Sequence, residues 1–220
     1  MKNKTFHALS EPIKILRKLQ AIGFTSAIIA GGAVRDDYAD ESINDFDIFM
    51  WDPNHSNEYP TKQIKEGQSN EDYFYGLFSK ILDTDSLEQL LSSDPENGYA
   101  ENQAGDGSIG AQLTSIWEGL TDFSLYQFIF TKINPVDHVN KYFDIGFCKA
   151  YCDGTKIRYT QDFLHDWKNK TFTIVGENMT QDQFNYVMEY HVDKLEWKYP
   201  HFQVEVAPHN QHLMKAYKGS

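Results

Sequence analysis

Residues 27–50 read AIIAGGAVRDDYADESINDFDIFM, and most of what the chain discloses about itself lies in this stretch. The apolar run Ala27 to Ala30 ends at Gly31-Gly32, as a buried strand does when it leaves a sheet through a turn where the backbone must come close to something. Side chains would be in the way there. Ala33 to Tyr38 can open a helix, and free amides at a helix start behind a glycine pair suit an anion such as a triphosphate. Arg35 adds a forked cationic donor, and only Arg17 and Arg158 accompany it in the whole chain.

The next segment, Ile43 to Trp51, alternates as a strand does, with Phe46, Ile48 and Met50 on one face and Asp45, Asp47 and Phe49 on the other. The two carboxylates point the same way, with Cα atoms roughly 6 to 7 Å apart. Like charges that close repel, and without a cation between them at least one pKa rises. A hard divalent ion held by oxygen ligands, Mg²⁺ with bound phosphate, accounts for the pair. An edge strand with two solvated aspartates is the plain alternative, and the glycine turn upstream argues against it.

GGAVRD at 31–36 followed by DFD at 45–47 resembles the head-domain signature of the polymerase β nucleotidyltransferase superfamily, in the form found in class II CCA-adding enzymes and bacterial poly(A) polymerases. The resemblance is strong over about residues 25–50, and the segment 142–175 also looks like a piece of stand-alone phage and large-virus members. It implies an α+β fold with a mixed, largely antiparallel central sheet flanked by helices. It also implies two Mg²⁺ ions, with Mn²⁺ as an alternative, held by three carboxylates. A hydroxyl would attack the α-phosphate of a nucleoside triphosphate in line and release pyrophosphate. Asp45 and Asp47 match the paired metal ligands; Gly31, Gly32 and Arg35 match the triphosphate-binding turn, and Asp36 falls on the same motif.

The third carboxylate that the resemblance requires has one leading candidate. Asp144 stands in YFDIGFCKAYCD, 142–153, where strand alternation would set it beside Gly146, Cys148, Ala150 and Cys152, opposite Phe143, Ile145 and Phe147. An aspartate in so apolar a strand calls for metal coordination or a hydrogen-bonded structural role. Asp122 and Asp137 are rivals beside turn-like sequence.

Composition fits one nucleotidyltransferase domain over 1–220 with flexible insertions near 52–70 and 92–110, two polar stretches rich in turn residues. No apolar run is long enough for a membrane span and no leader pattern opens the chain, so a cytoplasmic location is expected. Cys148 and Cys152 are expected as reduced thiols. A net charge of −12 argues against gripping a DNA duplex or a long RNA backbone. Lys132, Lys141, Lys149, Lys156, Lys168, Lys170, Lys194 and Lys198 read as scattered solvated positions rather than one basic patch.

Helical spacing is expected at Glu11 to Ile22, Tyr73 to Leu91, Gln161 to Lys168 and Gln181 to Lys198. Strands are expected at about 112–118, 124–133 and 142–151, with a short one at Phe202 to Val206. In the long helix Phe184, Val187, Met188, His191, Leu195 and Trp197 read as a packed stripe. The last residues, QHLMKAYKGS, show no strong period. CCA-adding enzymes carry an EDxxR motif; here Glu71-Asp72 is followed by Tyr, Phe and Tyr, which puts CCA addition in doubt and leaves the base unread. The acceptor hydroxyl, on an RNA 3′ end, a protein or a small molecule, is not named by the sequence. A nucleotide-binding regulatory protein without turnover, and an acidic interaction protein, are the readings from other classes.

Overall fold

The computed structural model describes residues 8–52, 56, 69–91, 112–122 and 124–219. Helix α1 (Ser10–Ala21) leads to β1 (Ile28–Ala30), α2 (Gly32–Ala39) and β2 (Asp45–Trp51), the order read from the opening motif. After α3 (Asn70–Leu82), the strands β3 (Leu87–Leu91), β4 (Leu113–Leu120) and β5 (Leu125–Thr131) follow, and then α4 (Pro135–Tyr142). Two short strands, β6 (Ala150–Cys152) and β7 (Ile157–Tyr159), complete a seven-stranded sheet ordered β3-β4-β5-β2-β1-β6-β7. Its pairs are antiparallel except β2 and β5, which run parallel with Asp47 opposite Gln127. The mixed, largely antiparallel α+β architecture is the one expected. The insertions expected near 52–70 and 92–110 fall almost wholly outside the described residues.

Alternation along β2 decides which face becomes core. Phe46, Ile48 and Met50 enter the main cluster with Leu16 and Leu19 of α1 and Phe74 and Phe78 of α3. Phe78 lies flat on Phe128, with ring centroids 4.1 Å apart. Phe49 turns the other way, into a smaller cluster with Ile28, Ile129, Val139 and Phe143 under α4. Asp45 and Asp47 share that thinner face, so the sheet leaves them beside a cavity rather than inside a packed layer.

Three expectations need correction. The stretch 142–151 is not a strand: α4 runs to Tyr142, Gly146–Cys148 form a 3₁₀ turn, and only Ala150–Cys152 pairs in the sheet. Asn134 starts that helix by accepting a hydrogen bond from the Val136 amide at 3.0 Å, with Pro135 in the first turn. The helix proposed for Tyr73 to Leu91 stops at Leu82, where Asp83 adopts a left-handed conformation, and Leu87–Leu91 becomes a strand on β4. The C-terminal residues form α8 (Gln211–Gly219), with Leu213 buried in the core.

A second unit follows the sheet. Helix α5 (Gln161–Asn169) precedes β8 (Thr171–Ile174), which pairs in parallel with β9 (Gln203–Val206). Parallel neighbours need a crossover. Here it is one continuous helical run: α6 (Gln181–Tyr186), a wide π-helical turn (Val187–Val192) and α7 (Asp193–Lys198). Thr180 and Gln183 close its start with a reciprocal capping box. Phe147 of the 3₁₀ turn ties this unit to the sheet through Phe172, Tyr199 and Phe202.

His138 on α4 is completely buried, and neither ring nitrogen has a hydrogen-bond partner among the described residues. It lies among Phe49, Tyr142 and Phe143, and burial lowers its pKa to about 4. A depressed histidine pKa means that the unfolded chain takes up a proton first, so this group subtracts stability as pH falls from 6.5 towards 4. His138→Leu removes two unsatisfied nitrogens and is expected to stabilise the fold by about 1 kcal/mol at pH 7. The gain should widen below pH 6.5; urea unfolding of parent and variant at pH 7.5 and 5 checks both parts.

Candidate active site

Strand β1 delivers Gly31 to the edge of a cavity of about 380 Å³. Gly31 has φ +72°, a conformation that side-chain-bearing residues rarely adopt, and a Cβ there would sit 3.7 Å from Asp47 Oδ2. It caps α2, whose first-turn amides have no intrahelical acceptors. The cavity is therefore rimmed by Gly31, Gly32 and Arg35, with Asp45 and Asp47 of β2 beside them and Asp144 on the same wall.

The electrostatics single out Asp47. Burial, then the charge of Asp45, push its pKa up to about 7, with Lys194 and Arg35 opposing. No hydrogen bond contributes to that balance. A half-buried carboxylate facing a second one, with no hydrogen-bond donor among the described residues, has the chemistry to hold a cation, and two hard oxygen donors beside a helix N-terminus fit Mg²⁺.

An aspartate with a raised pKa has the opposite linkage from the usual salt-bridged one. Between about pH 4 and pH 7 the folded state holds a proton that the unfolded chain has lost, so this contribution falls as pH rises and is least favourable above pH 7. In chelator, Asp47→Asn is expected to melt above the parent at pH 8 and to lose that advantage near pH 4. Millimolar Mg²⁺ should raise the melting temperature of the parent alone.

Asp144 lines the cavity but stands apart from that pair. Burial raises its pKa to about 7, with the charge of Lys149 opposing the rise. Its carbonyl accepts from the amides of Val175 and Gly176, and its carboxylate lies so close to Gly176 that a Cβ at 176 would overlap it. Among the described residues, no three histidine, cysteine, aspartate or glutamate side chains gather tightly enough to hold one ion. Asp122 and Asp137 do not line the cavity.

Arg35 and Asp36 are already engaged. The Arg35 Nε donates to Asp36 Oδ1 at 2.6 Å, and one Nη donates to Cys148 Sγ at 3.3 Å. Burial works against the guanidinium charge, but Cys148 and Asp36 outweigh it and hold its pKa above the ordinary value. Asp36, 3% exposed, also accepts from the Tyr199 hydroxyl at 2.6 Å and from Lys198 Nζ. Lys198 donates to the Ser42 carbonyl as well. The motif aspartate thus ties the glycine turn to the far end of the crossover helix. Both cysteines are free thiols.

Sequence reasoning missed the opposite wall. His191, Lys194, Leu195, Trp197 and Lys198 of the crossover helix line the cavity, facing Ser42 and Asn44. The stripe expectation fails at His191 and Trp197, both exposed, although Phe184, Val187 and Leu195 are core. The wide turn is the cause: buried positions step from Val187 to Val192, one residue longer than an α-turn, which rotates His191 outward. The lysines are dispersed, but Lys149 is buried rather than solvated. Lys149 pairs with Asp162, Lys170 covers the Trp167 ring, and Lys194 and Lys198 reach the cavity.

No family model and no curated protein matches the sequence. Solved structures do. All of the chain superposes on 49% of a tRNA-processing enzyme in an apo form, with TM-score 0.55 and 12% identity. A tRNA nucleotidyltransferase complexed with a primer tRNA and an incoming ATP analog matches 93% of the chain over 50% of its own, with TM-score 0.53 and 14% identity. The chain has the nucleotidyltransferase fold. The Thermotoga maritima CCA-adding enzyme, complexed with tRNA, shares that fold over 94% of the chain and 42% of its own length, with TM-score 0.51 and 12% identity. The chain spans about half the length of these structures, between 42% and 50%. Identity this low carries the nucleotidyltransferase fold and leaves the chemistry to the residues. No described helix is long and apolar enough to cross a membrane.

Proposed function

We propose that the chain is a Mg²⁺-dependent nucleotidyltransferase, moving a nucleoside monophosphate from a nucleoside triphosphate to a hydroxyl acceptor. The observation that carries this reading is the coupled Asp45–Asp47 pair directly beneath the Gly31–Gly32 turn, in one cavity. The first-turn amides of α2 and the charge of Lys194 hold the triphosphate, and Asp45 and Asp47 hold the metal. Bound there, the ion offsets the negative charge that builds on the α-phosphate. The acceptor oxygen forms a bond to the α-phosphorus while the bond to the β-phosphate oxygen breaks. Pyrophosphate leaves, and the hydroxyl proton passes to water. Asp144 is retained as a candidate third ligand by its place on the cavity wall.

A second reading, a nucleotide-binding regulatory protein without turnover, draws support from the separation of Asp144 from the pair. The acceptor is open to argument from both sides. The structural neighbours complexed with tRNA favour an RNA 3′ end, whereas a net charge of −12 favours a protein or small-molecule hydroxyl. Incubating the protein and a cell extract with each α-labelled triphosphate and Mg²⁺ separates the readings. Label moving to a macromolecule or metabolite, only with metal, is the expected result. Label bound but never transferred supports the regulatory reading, and no binding at all ends both.

A further inference from the structure

The crossover helix presents one ring to the cavity with its surface open. Trp197 is 87% exposed, stacks on no other ring among the described residues, and lines the cavity together with Lys194. A bare indole on a helix surface gains nothing for the fold, because its hydrophobic area stays in water. The other aromatic side chains on the cavity wall are spent differently. Phe49 and Phe143 are buried against each other, and His191 meets Tyr186 edge-on.

The polar groups around Trp197 are also informative. Lys198 is committed to Asp36 and Ser42. Lys194 lines the same cavity as Asp45 and Asp47. The cavity therefore brings the glycine turn, Asp45, Asp47 and Lys194 together with one open, flat π-face. A volume of about 380 Å³ falls within the range of small-molecule sites.

We propose that Trp197 is the base platform of this site: the nucleobase of a bound nucleoside triphosphate stacks on the indole while its phosphates lie at the glycine turn. Every base has a π-face, so stacking without a paired set of side-chain donors and acceptors accepts several bases. The substrate class is accordingly nucleoside triphosphates with little base discrimination, with purines held more tightly than pyrimidines by their larger ring area. This inference rests on the proposed nucleotidyl transfer. It adds which part of the nucleotide each wall holds.

Calorimetry with ATP, CTP and inorganic tripolyphosphate, each in Mg²⁺, tests it on the parent, Trp197→Ala and Trp197→Phe. One base–aromatic stack carries roughly a ten-fold share of affinity. Trp197→Ala is expected to bind ATP about ten-fold more weakly and tripolyphosphate unchanged, while Trp197→Phe keeps most of the ATP affinity. The side chain is exposed, so both variants should melt with the parent. ATP affinity that survives Trp197→Ala, or an equal loss for ATP and tripolyphosphate, overturns the platform and leaves the transfer reading standing. A parent that binds neither ligand overturns both.

Discussion

Asp47→Asn is expected to lower nucleotidyl transfer at least a thousand-fold while the protein stays folded. The substitution keeps the shape of the side chain and removes the charge that completes the Asp45–Asp47 pair. A metal ion at a reacting phosphate supplies several kcal/mol of transition-state stabilisation. At about 1.4 kcal/mol per factor of ten, losing about 4 kcal/mol corresponds to that rate. The linkage of Asp47 makes the experiment unusually clean. In the metal-free protein the same variant gains stability above pH 7, so activity and stability should move in opposite directions. Transfer that persists within ten-fold of the parent, measured with labelled triphosphate at saturating Mg²⁺, would remove Asp47 from the chemistry.

The largest stability effect is expected at Asp36. Its carboxylate is met by Arg35, Lys198 and the Tyr199 hydroxyl, all largely shielded from water. Asp36→Ala leaves the buried Arg35 and the part-buried Lys198 without their counter-charge, and breaking a buried pair from one side costs about 3–5 kcal/mol. For a chain of this size, roughly 2–4 °C of melting temperature follows each kcal/mol, so a drop on the order of 6–20 °C is expected. Tyr199→Phe removes a single hydroxyl donor and should cost about 1 kcal/mol. A melting temperature for Asp36→Ala within about 3 °C of the parent would show that the clamp holds nothing. Because the clamp joins the glycine turn to the crossover helix, it gives Asp36 a structural role within the turn motif.

The two substitutions act on opposite sides of one balance. Asp47 is strained by burial beside a like charge, a strain that a bound cation would relieve; Asp36 is satisfied by three partners and is structural for that reason. Position in the motif distinguishes neither. The surrounding partners do.

Much of the site was readable from residues alone. The run from Ala27 to Trp51 announces strand, glycine turn, helix and strand through signals that act over a few residues: apolar alternation, a pair of glycines, and carboxylates two apart on one face. Local physics suffices there, and the cavity duly joins Gly31, Gly32, Arg35, Asp45 and Asp47. The segment around Asp144 was misread because apolar alternation is compatible with a strand, whereas Asn134-Pro135 begins a helix and the Cys148 and Lys149 amides bond back to Ile145 and Gly146 in a 3₁₀ turn.

By itself, then, the sequence determined one side of the cavity: the Gly31–Gly32 bend and the paired acids of β2. Only the tertiary structure decided the other half. A parallel β8–β9 pair forces its connecting helix across the site, a π-turn sets which side chains face inward, and Asp36 fastens that helix across separations of 162 and 163 residues. No local pattern records such partners, because the bonds form only once distant elements have packed and excluded water.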